Sequence, residues 1–506
     1  MPKQASPTIN SYGGKKMKRT LCAILALILA VSMFSCSSDD GSVIETSAQT
    51  TAPATPETEV VETEEPGLPE PDLPYETYEG EEFIMMSRID DAYTVPYFYV
   101  EDQNGELVND AVYKRNLETE EKFGVDIVGR DDAAPYDTVA KAISSGDFVC
   151  HVFWDKYLLL FPEAMEGYYL NLNTVPHLNF DADYWDTNII RDLQIMDKLY
   201  LMNSDIYMYF DCPRFIYFNK GLINQYQLES PYEHVHNNTW TLDTFAEMCK
   251  AVNEDLNGDG KFDNQDRFGL WYESPQYFLV GAGIEFSTVN SEGIPEVNQP
   301  DERSVAVLEK LKRIVTSTEY SLDINKTAAG ADTKGLNIFD YGRTRFAADY
   351  FLFVQNGAGC TIQFKDMESD YGIVPNPKFD ENQEDYYHLM DPYSYAMSIP
   401  NNNTELDKTG MILEWMSWKS NQLVIPAYYE ITLFTKRFRD EEAKNMLEIV
   451  KSSVRYDISY FSGMDVISTY GNSIAKGNLI SSFEKRQKLF NKQIQKIIDK
   501  FEKIQH

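Results

Sequence analysis

The stretch "NDAVYKRNLETEEKFGVDIVGRDD", residues 109–132, decides how the body of this chain is read. Its apolar positions Val112, Leu117 and Phe123 predict an amphipathic helix. Gly124 then offers a left-handed stop, and "VDIV" starts an extended run. Upstream, "EEFIMMSR" (81–88) reads as a strand; downstream, "YDTVAKAISSGDF" reads as a helix and turn, and "VCHVFW" as another strand. Strand, helix, strand, helix, strand is the pattern of a parallel α/β lobe. In open sheets of that kind ligands bind beyond the carboxyl ends of the strands. Trp154 and Asp155, at the end of "VCHVFWD", therefore become candidate ligand contacts.

The pattern restarts near residue 199. "TWTLDTFAEMCKAVNEDLNGDGKFDNQDRFGLWYES" predicts a helix capped at Thr241, an acidic loop, and a short strand "FGLWY". Trp271, Tyr272 and Glu273 close that strand and join the candidate set. "DERSVAVLEKLKRIV", "RTRFAADYFLFV", "YGIVPNPKF", "YSYAMSIPNN" and "TELDKTGMILEWMSWKS" continue the alternation. The last helix places Phe483, Phe490, Ile494, Ile497 and Phe501 on one face. Trp415 and Trp418, three apart on a helix, read as packing. No repeat of 20 to 50 residues is visible.

A chain of 506 residues exceeds one ordinary core, so two lobes are expected. With 43% hydrophobic and 25% charged residues it is globular, and its net charge of −35 excludes nucleic acid as a partner. The N-terminus carries a basic "KKMKR" at 15–19 and then "TLCAILALILAVSMF", too short for a membrane anchor. "SC" follows, and then polar "SSDDGS". This resembles a bacterial lipoprotein signal over residues 1–35, with Met17 the expected initiator and Cys36 the lipidated residue; Met33 stands where such signals usually have leucine. Residues 36–80, including "TAPATPETEVVETEEPGLPEPDLP", are expected to be a disordered tether. Cys150, Cys212, Cys249 and Cys360 remain in the body, with three possible pairings and free buried thiols equally open.

"DLNGDGKFDNQDRFG", residues 255–269, matches a calcium loop. Asp255, Asn257 and Asp259 occupy positions one, three and five, and Gly260 makes the turn. The Lys261 carbonyl falls at seven, Asp263 at nine and Asp266 at twelve. One structural calcium ion is expected there, with a shorter aspartate in place of the usual glutamate; no organic cofactor is expected. His234 and His236 lack a third ligand and read as a surface loop. No G-x-S-x-G, H-E-x-x-H or phosphate-loop signature is present.

Four stretches together resemble an extracellular solute-binding protein of an ABC importer, family 1, sugar-binding type. They are the lipoprotein signal with its acidic tether, "NDAVYKRNLETEEKFGVDI", "WTLDTFAEMCKAVNEDLNGDGKFDNQDRFGL", and "FTKRFRDEEAKNMLEIVKSSVRYDISYFSG". The chain departs from that family at Cys150-His151, where members often have an aspartate. The resemblance implies an α/β, two-lobed periplasmic-binding-protein-like fold with hinge-crossing segments, closing on its ligand. Lobe 1 is expected over 81–205 plus 340–395, and lobe 2 over 206–339 plus 396–506. From the crossings, Asp211, Asp349, Tyr350, Tyr393 and Tyr395 join Trp154, Asp155, Trp271, Tyr272 and Glu273 as ligand contacts. Aromatic faces and carboxylates suit sugar hydroxyls. The expected function is a monomeric, non-enzymatic receptor, lipid-anchored on the extracellular face of the cytoplasmic membrane. It would capture a small solute, most plausibly an oligosaccharide, and deliver it to ABC permease subunits. A surface-anchored glycan-processing enzyme and a glycan-adhesion lipoprotein remain the alternatives.

Overall fold

The apolar run Phe83–Met86 forms the centre of the first strand and is buried throughout. The computed structural model describes residues 67–89, 98–209, 212–323, 337–364, 367–429 and 442–504. Signal, Cys36 and most of the tether lie outside these residues. In chain order the strands are β1 (Glu81–Arg88), β2 (Val125–Asp132), β3 (Val152–Lys156), β4 (Phe215–Asn219), β5 (Phe268–Tyr272), β6 (Ser287–Val289), β7 (Pro295–Val297), β8 (Ser321–Asp323), β9 (Phe351–Asn356), β10 (Tyr371–Val374), β11 (His388–Leu389), β12 (Tyr395–Ser398) and β13 (Val454–Arg455).

Two larger sheets result. The first has the order β12-β3-β1-β2, with β1 parallel to both β2 and β3 and with β12 antiparallel to β3. The second has the order β10-β4-β9-β5-β8, parallel from β9 through β5 to β8 and antiparallel from β9 through β4 to β10. The pairs β6–β7 and β11–β13 stand apart.

The opening stretch folds largely as its pattern dictates. Leu107–Phe123 is a helix, and Gly124 ends it at φ 63°, a conformation glycine adopts without steric cost. Val112 and Phe123 are buried, but Leu117 is 40% exposed. The inward face is completed instead by Arg115, Asn116 and Thr119, because this helix packs on the helix Leu406–Tyr429 through polar contacts. Arg115 reaches the Ser420 hydroxyl at 3.1 Å. The helix Leu242–Ala251 is capped by Thr241, whose hydroxyl accepts the Thr244 N–H. It lies directly on β5: a Cβ at Gly269 would collide with the Cys249 backbone.

Two boundaries differ from the sequence reading. The sequence pattern places residues 340–395 in the first lobe, but β9 and β10 belong to the second sheet. All six residues of β9 are buried, and a strand apolar on both faces belongs at the centre of a covered sheet. The return to the first sheet comes only at β12. The helix Leu406–Tyr429 then packs with the first lobe, within a range the sequence reading gave to the second.

The tether also ends earlier than residue 80. Residues 67–78 run as an ordered strap along the first lobe. Leu68 and Leu73 are partly buried against the core, and the Leu68 carbonyl accepts the Trp418 indole N–H at 2.9 Å. Glu70 pairs with Lys122 at 2.9 Å, and the Tyr78 N–H bonds to the Phe123 carbonyl at 2.8 Å. The leucines are spaced widely among prolines, so extended chain can press them onto helices without forming regular structure itself.

Candidate ligand-binding site

Strand register decides which side chains share an edge. Arg88 ends β1, and Ser87 stands opposite Trp154, so Asp155 of β3 comes beside Arg88. The pair is bidentate, with Nε–Oδ1 at 2.7 Å and Nη2–Oδ2 at 3.1 Å. Asp155 is wholly buried and also accepts the Tyr136 N–H at 3.1 Å, from the first turn of the helix Pro135–Ser145. Burial opposes the charge on Arg88, but the bonds to Asp155 outweigh it and raise its pKa.

The second sheet builds a larger edge. Phe215 of β4 lies opposite Asn356 of β9, which puts Arg214 at the same end as Asn356 and as Glu273, the residue after β5. Glu273 accepts from Asn356 Nδ2 at 3.1 Å and pairs with Arg343 at 3.3 Å. It stands 4.0 Å from Arg214 Nε. Arg214 binds Asp391 at 2.7 Å, and Asp391 also accepts the Tyr277 hydroxyl proton at 3.3 Å. Desolvation works against the Arg214 charge. Asp391, Tyr277 and Glu273 nonetheless hold its pKa well above the ordinary value.

Asp391 belongs to the segment that returns to the first sheet, and this joins the two edges. Its carboxylate accepts the Tyr393 N–H at 2.9 Å, and the Ser394 carbonyl accepts the Tyr157 N–H at 3.0 Å. The Tyr393 ring is 66% exposed and stands 5.9 Å from the Lys156 ammonium. Guanidinium donors, carboxylate and amide acceptors and an exposed ring thus lie along two strand edges and the crossing between them. That inventory is suited to hydroxyl-rich ligands.

Neither a protein-family profile nor a curated protein sequence matches the chain. Solved structures do. A cyclo/maltodextrin-binding protein complexed with maltotetraose aligns with a TM-score of 0.53 and 11% identity, over 85% of this chain and 99% of its own. RafE from Streptococcus pneumoniae, in its apo form, gives 0.52 and 13%, over 82% and 99%. The maltose/maltodextrin-binding domain MalE from Bdellovibrio bacteriovorus, bound to maltotriose, gives 0.50 and 14%, over 82% and 100%. This chain has the two-lobed periplasmic-binding-protein fold. At such identities the likeness is one of fold.

Within the binding-protein fold, the residues expected from sequence divide into three groups. Asp155, Glu273 and Tyr393 stand at the two edges and the crossing. Trp154, Trp271, Tyr272 and Tyr395 are core. Trp154 stacks on Phe98 with ring centroids 5.3 Å apart, and Trp271 on Phe351 at 6.4 Å. The Tyr272 hydroxyl is spent on the Val315 carbonyl at 2.8 Å, and Tyr395 packs on Tyr207. Side chains alternate along a strand, so only some residues near a strand end reach the edge. Asp349 and Tyr350 precede β9 and lie at the end of the sheet opposite Asn356. Asp349 accepts from Asn219 at 2.5 Å, and Tyr350 lies under the Arg345 guanidinium. Asp211 is outside the described residues.

Arg88, Arg214, Arg343, Asn356, Tyr277 and Asp391 were not singled out from sequence. The available signal was an arginine abutting an apolar run, as in "EEFIMMSR" and "RFIYFN". A cation there must find a carboxylate or stay outside.

The 255–266 loop closes on itself. Its base is the Glu254–Arg267 bridge. Asp255 accepts the N–H groups of Gly258 at 2.7 Å and Gly260 at 2.8 Å; Asn257 accepts that of Asp259, and Asp259 that of Lys261. Asp263 accepts the Gln265 N–H, and buried Asp266 accepts those of Leu256 and Asp263. The all-oxygen donor set suits a hard cation. Among the described residues, however, no group of three or more His, Cys, Asp or Glu side chains converges as a metal centre. His234 and His236 lie on the helix Pro231–His236, not a loop, with His236 bonded to Glu442 at 3.0 Å. Cys150, Cys212, Cys249 and Cys360 are free and buried. Among the described residues no helix is long and apolar enough to cross a membrane.

Proposed function

We propose that this protein is an extracellular solute-binding receptor, held at the membrane through Cys36, that captures a hydroxyl-rich solute and passes it to ABC permease subunits. An oligosaccharide is the favoured solute. The observation that carries this reading is the crossing segment: Asp391 ties Arg214 of the second edge, while Tyr393, two residues on, stands over Lys156 of the first. A solute touching both edges gains most when they approach, and differential affinity for the closed arrangement is what drives closure. Arg88, Tyr393, Arg214 and Glu273 would supply the contacts, with wholly buried Asp155 holding Arg88 in place. The 255–266 loop would take one calcium ion in a structural role, through Asp255, Asn257, Asp259, the Lys261 carbonyl, Asp263 and Asp266.

A thermal-shift panel over linear and cyclic oligosaccharides, in calcium and in chelator, tests this. A stabilising sugar, recovered intact and accompanied by a smaller radius of gyration in solution scattering, is the expected result. Ligand saturating at a hundred times its Kd raises stability by about 2.7 kcal/mol. Turnover of the sugar would replace the receptor by an enzyme, and no shift with any sugar would move the solute to another class. Equal melting in calcium and chelator would remove the metal.

A further inference from the structure

The helix Leu479–Lys503 is the longest in the described chain and carries an unusual charge pattern. It holds seven Lys/Arg against three Asp/Glu, in a chain whose net charge is −35. Leu479, Phe483, Phe490, Ile494, Ile497 and Phe501 face the core. At about 100° per residue, Lys485, Lys488, Lys492, Lys496 and Lys503 all fall within an arc of roughly 80° on the opposite side, with exposed Asp499 the one acid inside it. All five are exposed, and Leu489, at 50% exposure, sits among them. The remaining cations of the helix are engaged, Arg486 with Asp465 at 2.7 Å and Lys500 with Glu166 at 2.6 Å. The five stripe lysines make no ion pair among the described residues.

We infer that this stripe is a docking surface for the anionic phosphate headgroups of a lipid bilayer. From Lys485 to Lys503 the stripe runs about 27 Å in a straight line on a convex surface, which meets a plane and offers no concave pocket. Lysine ammonium groups act as point charges without the fork that selects a single phosphate, so they suit many headgroups rather than one ligand. Leu489 sits where a shallow apolar contact adds to the charges. Asp499 offsets one of the five charges, and the acidity of the rest of the chain does not cancel the remainder, because charges beyond about 8 Å are largely screened at physiological salt. The inference uses neither the solute nor the lipidated cysteine, so it stands or falls apart from the receptor reading.

The compact unit Pro66–His506, which contains both sheets and lacks Cys36, provides the test. Its co-sedimentation is measured with vesicles of phosphatidylcholine alone and of phosphatidylcholine mixed with phosphatidylglycerol. Binding to the mixed vesicles only, lost at high salt, is expected. Changing Lys485, Lys488, Lys492 and Lys496 together to Gln should reduce partitioning about six-hundredfold, since each lysine near an anionic surface contributes roughly a factor of five. These side chains are exposed, so melting should stay unchanged. A control with Lys114, Lys141, Lys250 and Lys312 changed to Gln removes equal charge elsewhere and should bind as the native unit does. Equal binding to neutral vesicles, an indifferent stripe variant, or equal loss in the control would overturn the proposal. So would stripe-dependent self-association without lipid, which would make a second acidic copy the partner.

Discussion

The two sheet edges solve one problem in different ways. At the first edge a buried carboxylate, Asp155, is matched by one arginine in a bidentate pair and by one helix N–H. Everything it needs lies in the first lobe. At the second edge Glu273 and Asp391 share Arg214 and Arg343 in a branched network, and Asp391 comes from the crossing segment. The first arrangement is closed and local. The second ties an edge of the second sheet to the segment that any relative movement of the lobes must bend.

Removing the hub of the second edge should have the largest effect. Arg214→Ala leaves Asp391 and Glu273 short of a cation in a mostly buried setting, and should cost about 3–5 kcal/mol in urea unfolding. It should also alter ligand-induced compaction in scattering; unchanged compaction would break the contrast between a coupled and a local edge.

The crossing carries a second device, which acid should reveal. His388 of β11 is buried, its Nε2 accepts the Asn376 N–H at 3.1 Å, and its ring is 2.8 Å from the Ser453 hydroxyl. Burial pushes its pKa down to about 3. A neutral ring is therefore required: its contribution is whole above the ordinary histidine value near 6.5 and is lost as pH falls toward about 3. Asp186 and Asp457, raised to about 6 by burial, act with the opposite sign. Their contribution is present at low pH and disappears as pH rises through about 6, so they blunt the native acid slope. His388→Gln should flatten stability between pH 6 and pH 3 relative to the native protein; parallel curves would show that the ring does not control the acid limb.

Asp155→Asn is the mildest break. It keeps the shape and removes the charge that Arg88 balances, for a loss of about 2 kcal/mol in urea unfolding. Compaction on ligand should persist. A loss of compaction as large as that from Arg214→Ala would erase the distinction between the edges.

Legibility in the sequence followed periodicity. β1, β5 and the helix Leu479–Lys503 were readable because each buries one side with a clear period or a short apolar run. β9 and β10 were misallocated because pairing partners depend on long-range contacts that no local pattern encodes. At the site, Glu273 and Asp155 were found by position beyond a strand. The core aromatics were over-read, since being near a strand end does not say which face a ring takes. The arginines were under-read because their meaning comes only from carboxylates far away in sequence, as with Arg214 and Asp391.

The strap at residues 67–78 has a mechanical consequence. Leu68 is fastened to Trp418 and Glu70 to Lys122, all on one side of the hinge. Under the anchoring proposed at Cys36, a pull along the preceding chain would reach the first lobe as a shear load on these contacts before it met any crossing segment. The second lobe would carry none of that tension. The proposed opening and closing would then run between a fixed half and a free half.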